Sequence, residues 1–175
     1  MTIQYPPLLL KYLKAFQDDP SSKIFAPLAE CYRKLGLVDE AIEICKEGLA
    51  VSPNFNGGKV ALARAYFDKK MYKQVRELLS KIIDEIPENI IAQRLLADSS
   101  FMTGHLNEAL NAYKMVLYYQ PDEREVYAII KEMETQMYEK SGLLKAGGRP
   151  EKVQKIIKLQ KMLEKAQKAQ GVIIC

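Results

Sequence analysis

Pro53, Pro87 and Pro121 recur at an interval of 34 residues, and no other feature of the sequence constrains its fold so tightly. Proline lacks a backbone donor and its ring clashes with the preceding turn, so a helix does not run through it undisturbed. A proline repeated at a fixed interval marks an internal repeat and divides the chain into units of equal length. Other positions keep the same beat. Gly36, Lys70 and Gly104 share one register, and Ala41, Val75 and Ala109 share another.

The marks around each proline belong together. With Ser22 as position 1, the unit 22–55 places Phe25, Leu28, Ala29 and Tyr32 along a first helix and Gly36 at its end. Asp39-Glu40-Ala41 opens a second helix, with Asp39 expected as its N-cap. Cys45 and Gly48 then stand where an aromatic residue and an alanine are usual. The unit 56–89 is more diverged. Leu62, Ala63 and Tyr66 keep the pattern, but Lys59 and Lys70 replace an aromatic and the turn glycine. Val75 and Ile82 replace alanines, which predicts wider helix packing. The unit 90–123 keeps Gly104, Ala109 and Tyr113, with Gln93 and Ser100 at aromatic positions. Two spots depart from good helix chemistry. Pro27 predicts a late or bent first helix, and Gly57-Gly58 predicts a weak helix start, either a hinge or a plain turn.

The sequence resembles three consecutive tetratricopeptide repeats (TPRs). A fourth starts at Arg124, has Tyr127 and Ile130 in register, and meets Lys131 where a small residue belongs. The resemblance implies an all-α fold, a right-handed α-solenoid of three TPR helix pairs plus a partial fourth over 124–141. Residues 1–21 are expected to cap its N-terminal end with a short helix, since Leu9, Leu10, Leu13 and Phe16 follow Pro7 at helical spacing. Residues 142–150 contain Gly142, Gly147, Gly148 and Pro150 and read as a linker. Residues 151–175 read as a basic amphipathic helix with an apolar end.

Positions 2, 5, 9 and 12 of such units face a concave groove. The resemblance therefore implies a partner-binding groove of Lys23, Glu30, Arg33, Val60, Arg64, Phe67, Ile91, Arg94, Asp98 and Phe101. One subclass of the family grips chaperone tails with a carboxylate clamp. Ala26, Glu30, Ala61, Ile91 and Leu95 occupy the clamp positions here, so the clamp is missing. Arg64 and Arg94 near Phe67 and Phe101 predict a ligand with apolar anchors and an acidic group, unless the phenylalanines turn into the core. The function implied is that of a non-catalytic adaptor or scaffold binding another protein or a peptide segment. Two alternatives stand beside it: a TPR-type secretion chaperone holding a substrate protein, and a structural protein that self-associates through 151–175.

Charge separates the body from the tail. The 26 basic and 22 acidic residues leave a net charge of +4, and the whole excess falls in 149–175, where seven basic residues meet two acidic ones. That segment reads three ways: a helix capping the last repeat, a helix making a second contact or pairing with a copy of itself, or a basic surface for anionic lipid or nucleic acid. It has no aromatic residue for base stacking, which argues against nucleic acid. Cys31 and Cys45 sit at core-like helical positions. With Cys175 they make an odd number without metal-ligand spacing, which favours a reduced, cytoplasmic setting. No apolar run is long enough to span a bilayer, and Met1–Phe16 lacks the basic lead and cleavage site of a signal peptide. The sequence has no phosphate-cradling glycine loop or nucleophile motif. Its single histidine, His105, is expected as a surface C-cap in a turn. Neither catalysis nor a cofactor or metal is expected.

Overall fold

Eight α-helices follow one another within residues 6–140, the part of the chain described by the structure, a computed structural model. They are α1 (Pro7–Asp18), α2 (Phe25–Lys34), α3 (Val38–Val51), α4 (Asn56–Asp68), α5 (Tyr72–Glu85), α6 (Ile90–Met102), α7 (Leu106–Tyr119) and α8 (Arg124–Lys140). The expected linker at 142–150, the basic segment 151–175 and Cys175 lie outside the described residues. By its contacts the chain divides after Ile130, within α8, into two compact units. Among the described residues no helix is long and apolar enough to cross a membrane.

The prolines end helices as their chemistry requires. α3, α5 and α7 stop two residues before Pro53, Pro87 and Pro121. Ser52, Ile86 and Gln120, each just before a proline, have φ of −123°, −136° and −132° with ψ of 69°, 76° and 80°. Proline keeps its predecessor out of the helical region, so the break is set locally. The turns inside each pair are also alike. Gly36 and Gly104 have φ of 80° and 77°, and Lys70 adopts φ 60° in the same place. In each turn two backbone bonds close the first helix: Leu37 N–H to Tyr32 O at 3.0 Å, Met71 N–H to Tyr66 O at 2.8 Å, and His105 N–H to Ser100 O at 2.8 Å, each beside a shorter-range bond from the preceding residue. Lys70 therefore follows the glycine geometry despite its side chain.

Two expectations at helix starts need correction. Asp39 is not an N-cap: α3 begins at Val38, and Asp39 lies in its first turn, paired with Lys69 of the next unit. His105 stands at the N-cap position of α7 rather than at a C-cap, without a side-chain capping bond. The late start foreseen from Pro27 is present. α4, α6 and α8 begin at position 1 of their units, whereas α2 begins at Phe25, position 4. Pro27 is then the third helical residue, where the backbone N–H would have no helical partner, and the first bond is Leu28 N–H to Ile24 O at 3.0 Å.

Each first helix packs on its own partner and on the next first helix, in the order α2, α4, α6. No equally close backbone approach joins α3 to α5 or α5 to α7. The stack of helix pairs therefore curves, with the first helices on the inner side. Across the gap between α5 and α7 a long side chain serves instead: Arg76 Nε donates to Glu108 Oε2 at 2.7 Å, and Ser100 Oγ donates to the same oxygen at 2.7 Å.

The core is organised around Phe25. Its ring is fully buried, edge-on to Phe55 at 5.6 Å between centroids and tilted against Phe16 at 6.4 Å. α1 lays Leu9 and Phe16 into the same cluster with Leu28, while Leu10 points out at 49% exposure. A Cβ on Gly48 would come within 2.2 Å of Phe25 Cγ, and one on Gly58 within 2.5 Å of the same ring. Gly58 thus makes room for an aromatic ring and is neither a hinge nor an idle turn residue. Cys45 is fully buried, and burial pushes its thiol up to about 12. Cys31 is only half-buried, short of the core position its helical spacing suggested. Tyr127, in register with Phe25, is 54% exposed, and Val126 beside it is buried instead.

Replacing Gly48 with alanine should destabilise the protein by about 1–3 kcal/mol through overpacking against Phe25, although alanine alone would favour the helix by about 1 kcal/mol. Urea unfolding, compared with Gly57→Ala as the control, checks this. A Cβ on Gly57 meets only the far edge of the half-buried Phe55 ring at 2.7 Å, which can shift. Lys70→Gly should have the opposite sign, raising stability by about 0.5–1 kcal/mol, because it removes a side chain from a left-handed conformation. A melting temperature that is unchanged or lower than that of the wild type would contradict it.

Candidate functional site

The groove-facing positions lie along the inner helices, and helix ends fix their directions. Asn89 caps α6, its Oδ1 accepting from Ala92 N–H at 3.1 Å. Gln93, buried at an aromatic position, donates from Nε2 to Pro87 O at 3.0 Å. These two bonds stitch the repeated proline turn to the first turn of α6. The turn carries Glu88 and Asn89 to the mouth of an open recess of about 640 Å³. Arg64 of α4, Ile90, Ile91, Arg94, Leu95 and Asp98 of α6, and Gln120 line it as well.

Of the residues expected in the groove, the structure brings Arg64, Ile91, Arg94 and Asp98 together in this recess. Ile91 is 51% exposed there, a large apolar side chain left open to solvent. Glu30 and Arg33 join through ion pairs. Arg33 grips Glu30 with two bonds, Nη2 to Oε1 at 2.8 Å and Nε to Oε2 at 3.0 Å, and reaches Asp68 Oδ2 at 2.7 Å. Arg64 Nη1 reaches Glu30 Oε1 at 3.4 Å. The hydrogen bond from Arg33, outweighing burial, holds the Glu30 carboxyl below its ordinary range. Lys23, Val60, Phe67 and Phe101 do not line the recess. Lys23 places its ammonium 5.2 Å above the Phe55 ring. Val60 is half-buried. Phe67 is half-buried and edge-on to Tyr72 at 5.3 Å, whereas Phe101 remains 44% exposed.

Arg64 and Arg94, from which a ligand with an acidic group is expected, contact carboxylates of the chain itself. Both are already engaged: Arg94 contacts Glu123 through Nη1 and Glu125 through Nη2, each at 3.3 Å. Asp98 accepts the Tyr113 hydroxyl at 2.6 Å, and burial together with that bond pushes the phenol pKa up. Glu88, Gln120 and the pairing carboxylates Asp68 and Glu123 were not among the expected groove residues. One signal was available for the pairing. Opposite charges stand about one repeat apart, as in Glu30 with Arg64, and Arg33 with Asp68.

A family model described as the tetratricopeptide repeat matches residues 36–98 and again residues 66–132. The anaphase-promoting complex subunit cut9 of Schizosaccharomyces pombe is 31% identical over 104 residues, which is 57% of this chain and 16% of that protein. Protein O-mannosyl-transferase TMTC1 of Homo sapiens is 25% identical over 115 residues, 66% of this chain and 13% of that one. The chain thus spans less than a fifth of the length of these curated relatives. Among solved structures, MamA is similar with a TM-score of 0.67 at 24% identity, covering 91% of this chain and 89% of that one. The first TPR of Spaghetti (RPAP3), bound to the HSP90 peptide SRMEEVD, gives a TM-score of 0.63 at 20% identity, covering 67% of this chain and 94% of that one. These structural likenesses carry the fold.

Replacing Glu30 with glutamine should lower stability at about pH 7 by about 1 kcal/mol, because Arg33 loses its bidentate partner. The sign with pH follows from the depressed carboxyl. Its contribution is present above the ordinary glutamate value of 4.5 and is lost as pH falls through the lower folded value. Thermal melts of both proteins should therefore converge as pH drops below that range. A difference that persists undiminished in acid would contradict it.

Proposed function

Because the chain belongs to the tetratricopeptide repeat family, a family of protein–protein interaction scaffolds, we propose that it binds a segment of another protein in the concave groove formed by α2, α4 and α6. The observation that carries this reading is the recess itself. Side chains from two successive first helices, Arg64 from one and Ile91, Arg94 and Asp98 from the other, surround one open volume with an exposed isoleucine in it. Rigid repeats present such a surface already formed, so the ordering cost of binding falls on the partner segment. No chemical step is assigned to the groove, and the chain acts by recognition. The same proposal places it in a reducing, cytoplasmic setting, in keeping with its odd number of cysteines.

Affinity capture with the full chain and with Ile91→Glu, read by mass spectrometry, tests the groove. The substitution falls on a half-exposed position and should leave the helical circular dichroism unchanged. Partners held through the recess should drop by about ten-fold or more, the loss expected when an apolar anchor site of about 1.4 kcal/mol is replaced by a charge. Recovery of the same partners at undiminished levels would remove the groove as the binding surface.

A further inference from the structure

The charges around the recess specify what kind of segment it accepts. On this inner side three guanidiniums, Arg33, Arg64 and Arg94, face six carboxylates: Glu30, Asp68, Glu88, Asp98, Glu123 and Glu125. Every one of the guanidiniums already has a carboxylate partner. An incoming acidic group would have to displace one, and the displaced carboxylate would be left unpaired beside it. Exchange of one ion pair for another of the same kind brings little gain and adds repulsion.

A cation meets the reverse situation. Glu88, at the mouth, has no hydrogen bond or ion pair among the described residues, and its side chain is exposed. Asp98 spends Oδ1 on Tyr113, and its second oxygen has no hydrogen bond among the described residues. Glu125 is 80% exposed and holds Arg94 by a single contact at 3.3 Å. Between these carboxylates lies an apolar strip, Ile90, Ile91 and Leu95, with Ile91 half in solvent.

We propose that the recess takes a basic partner segment. An apolar side chain of the partner rests on Ile91 and Leu95, and its lysines or arginines pair with Glu88 and Asp98. This rests on the reading of the groove as a partner site, and it reverses the acidic ligand that the arginines alone would predict. Its recognition is electrostatic and apolar together, so it weakens as salt screens the outer pairs.

The test is fluorescence anisotropy with the full chain and three labelled probes. One is a twelve-residue peptide of alternating leucine-rich and lysine-rich turns, one is the same peptide with glutamate for lysine, and one is SRMEEVD. The lysine peptide should bind about ten-fold tighter than either acidic probe at low salt. The double substitution Glu88→Gln with Asp98→Asn, which still allows the Tyr113 bond, should cut its affinity by about five-fold. Ile91→Gln should weaken it as well. If an acidic probe binds as tightly as the lysine peptide and Ile91→Gln weakens that binding, the charge assignment is overturned while the groove reading stands. If Ile91→Gln leaves the lysine peptide bound as before, the groove reading itself fails. No binding of the lysine peptide at about 1 mM would also overturn the proposal. Light scattering should show the unliganded chain as a monomer. A dimer abolished by Glu88→Gln with Asp98→Asn would seat a second copy in the recess in place of a separate partner.

Discussion

The Phe25 ring lies where α1, α2, α3 and α4 converge, and those helices can converge because Gly48 and Gly58 present no side chain to it. One large aromatic group and two missing side chains form a volume exchange, the kind of compensation that close-packed interiors require. Three consequences follow from it. α3 comes close enough to α2 to bury Cys45 and Ala41 completely. α4 starts with a residue of poor helix propensity and is held there by packing. α1 finds a seat for Leu9 and Phe16 against Phe25 and Leu28. Enlarging any member of this cluster therefore disturbs the first pair, its junction with the second and the seat of α1 together.

Beside this apolar junction, charge also joins the units. Position 9 of successive units holds Glu30, Arg64 and Asp98, alternating in sign, and the first two are bonded to each other. Single pairs of this exposure contribute little on their own. Their larger effect is on what the inner surface offers. Because the units use their arginines to hold one another, these guanidiniums meet the inner surface already paired.

How much of this was legible in the residues depends on the range over which each constraint acts. Helix ends depend on one or two neighbours, so Pro53, Pro87, Pro121 and the turn positions announce them, and even the late start of α2 is written in Pro27. Constraints that cross from one repeat to another are hidden. Gly57-Gly58 reads as a weak helix start because the ring that needs Gly58 belongs to the preceding unit. The pairing of Arg64 and Arg94 is not visible locally because their carboxylates stand about one repeat away. Asp39 reads as a cap for a similar reason, since its partner Lys69 lies in the next turn. Lys70 shows the opposite limit. The repeat register overrode the preference of the residue, and a lysine took the backbone shape of a glycine.

The side of the stack formed by α3, α5 and α7 is held together differently from the inner one. Along the inner line the first helices approach one another closely, whereas the second helices stand farther apart, with Leu78 of α5 packed on the α3 cluster and Arg76 of α5 bonded to Glu108 of α7. The Arg76–Glu108 pair is sheltered, at 22% and 36% side-chain exposure, so this tie between second helices holds in salt that would screen a fully exposed pair.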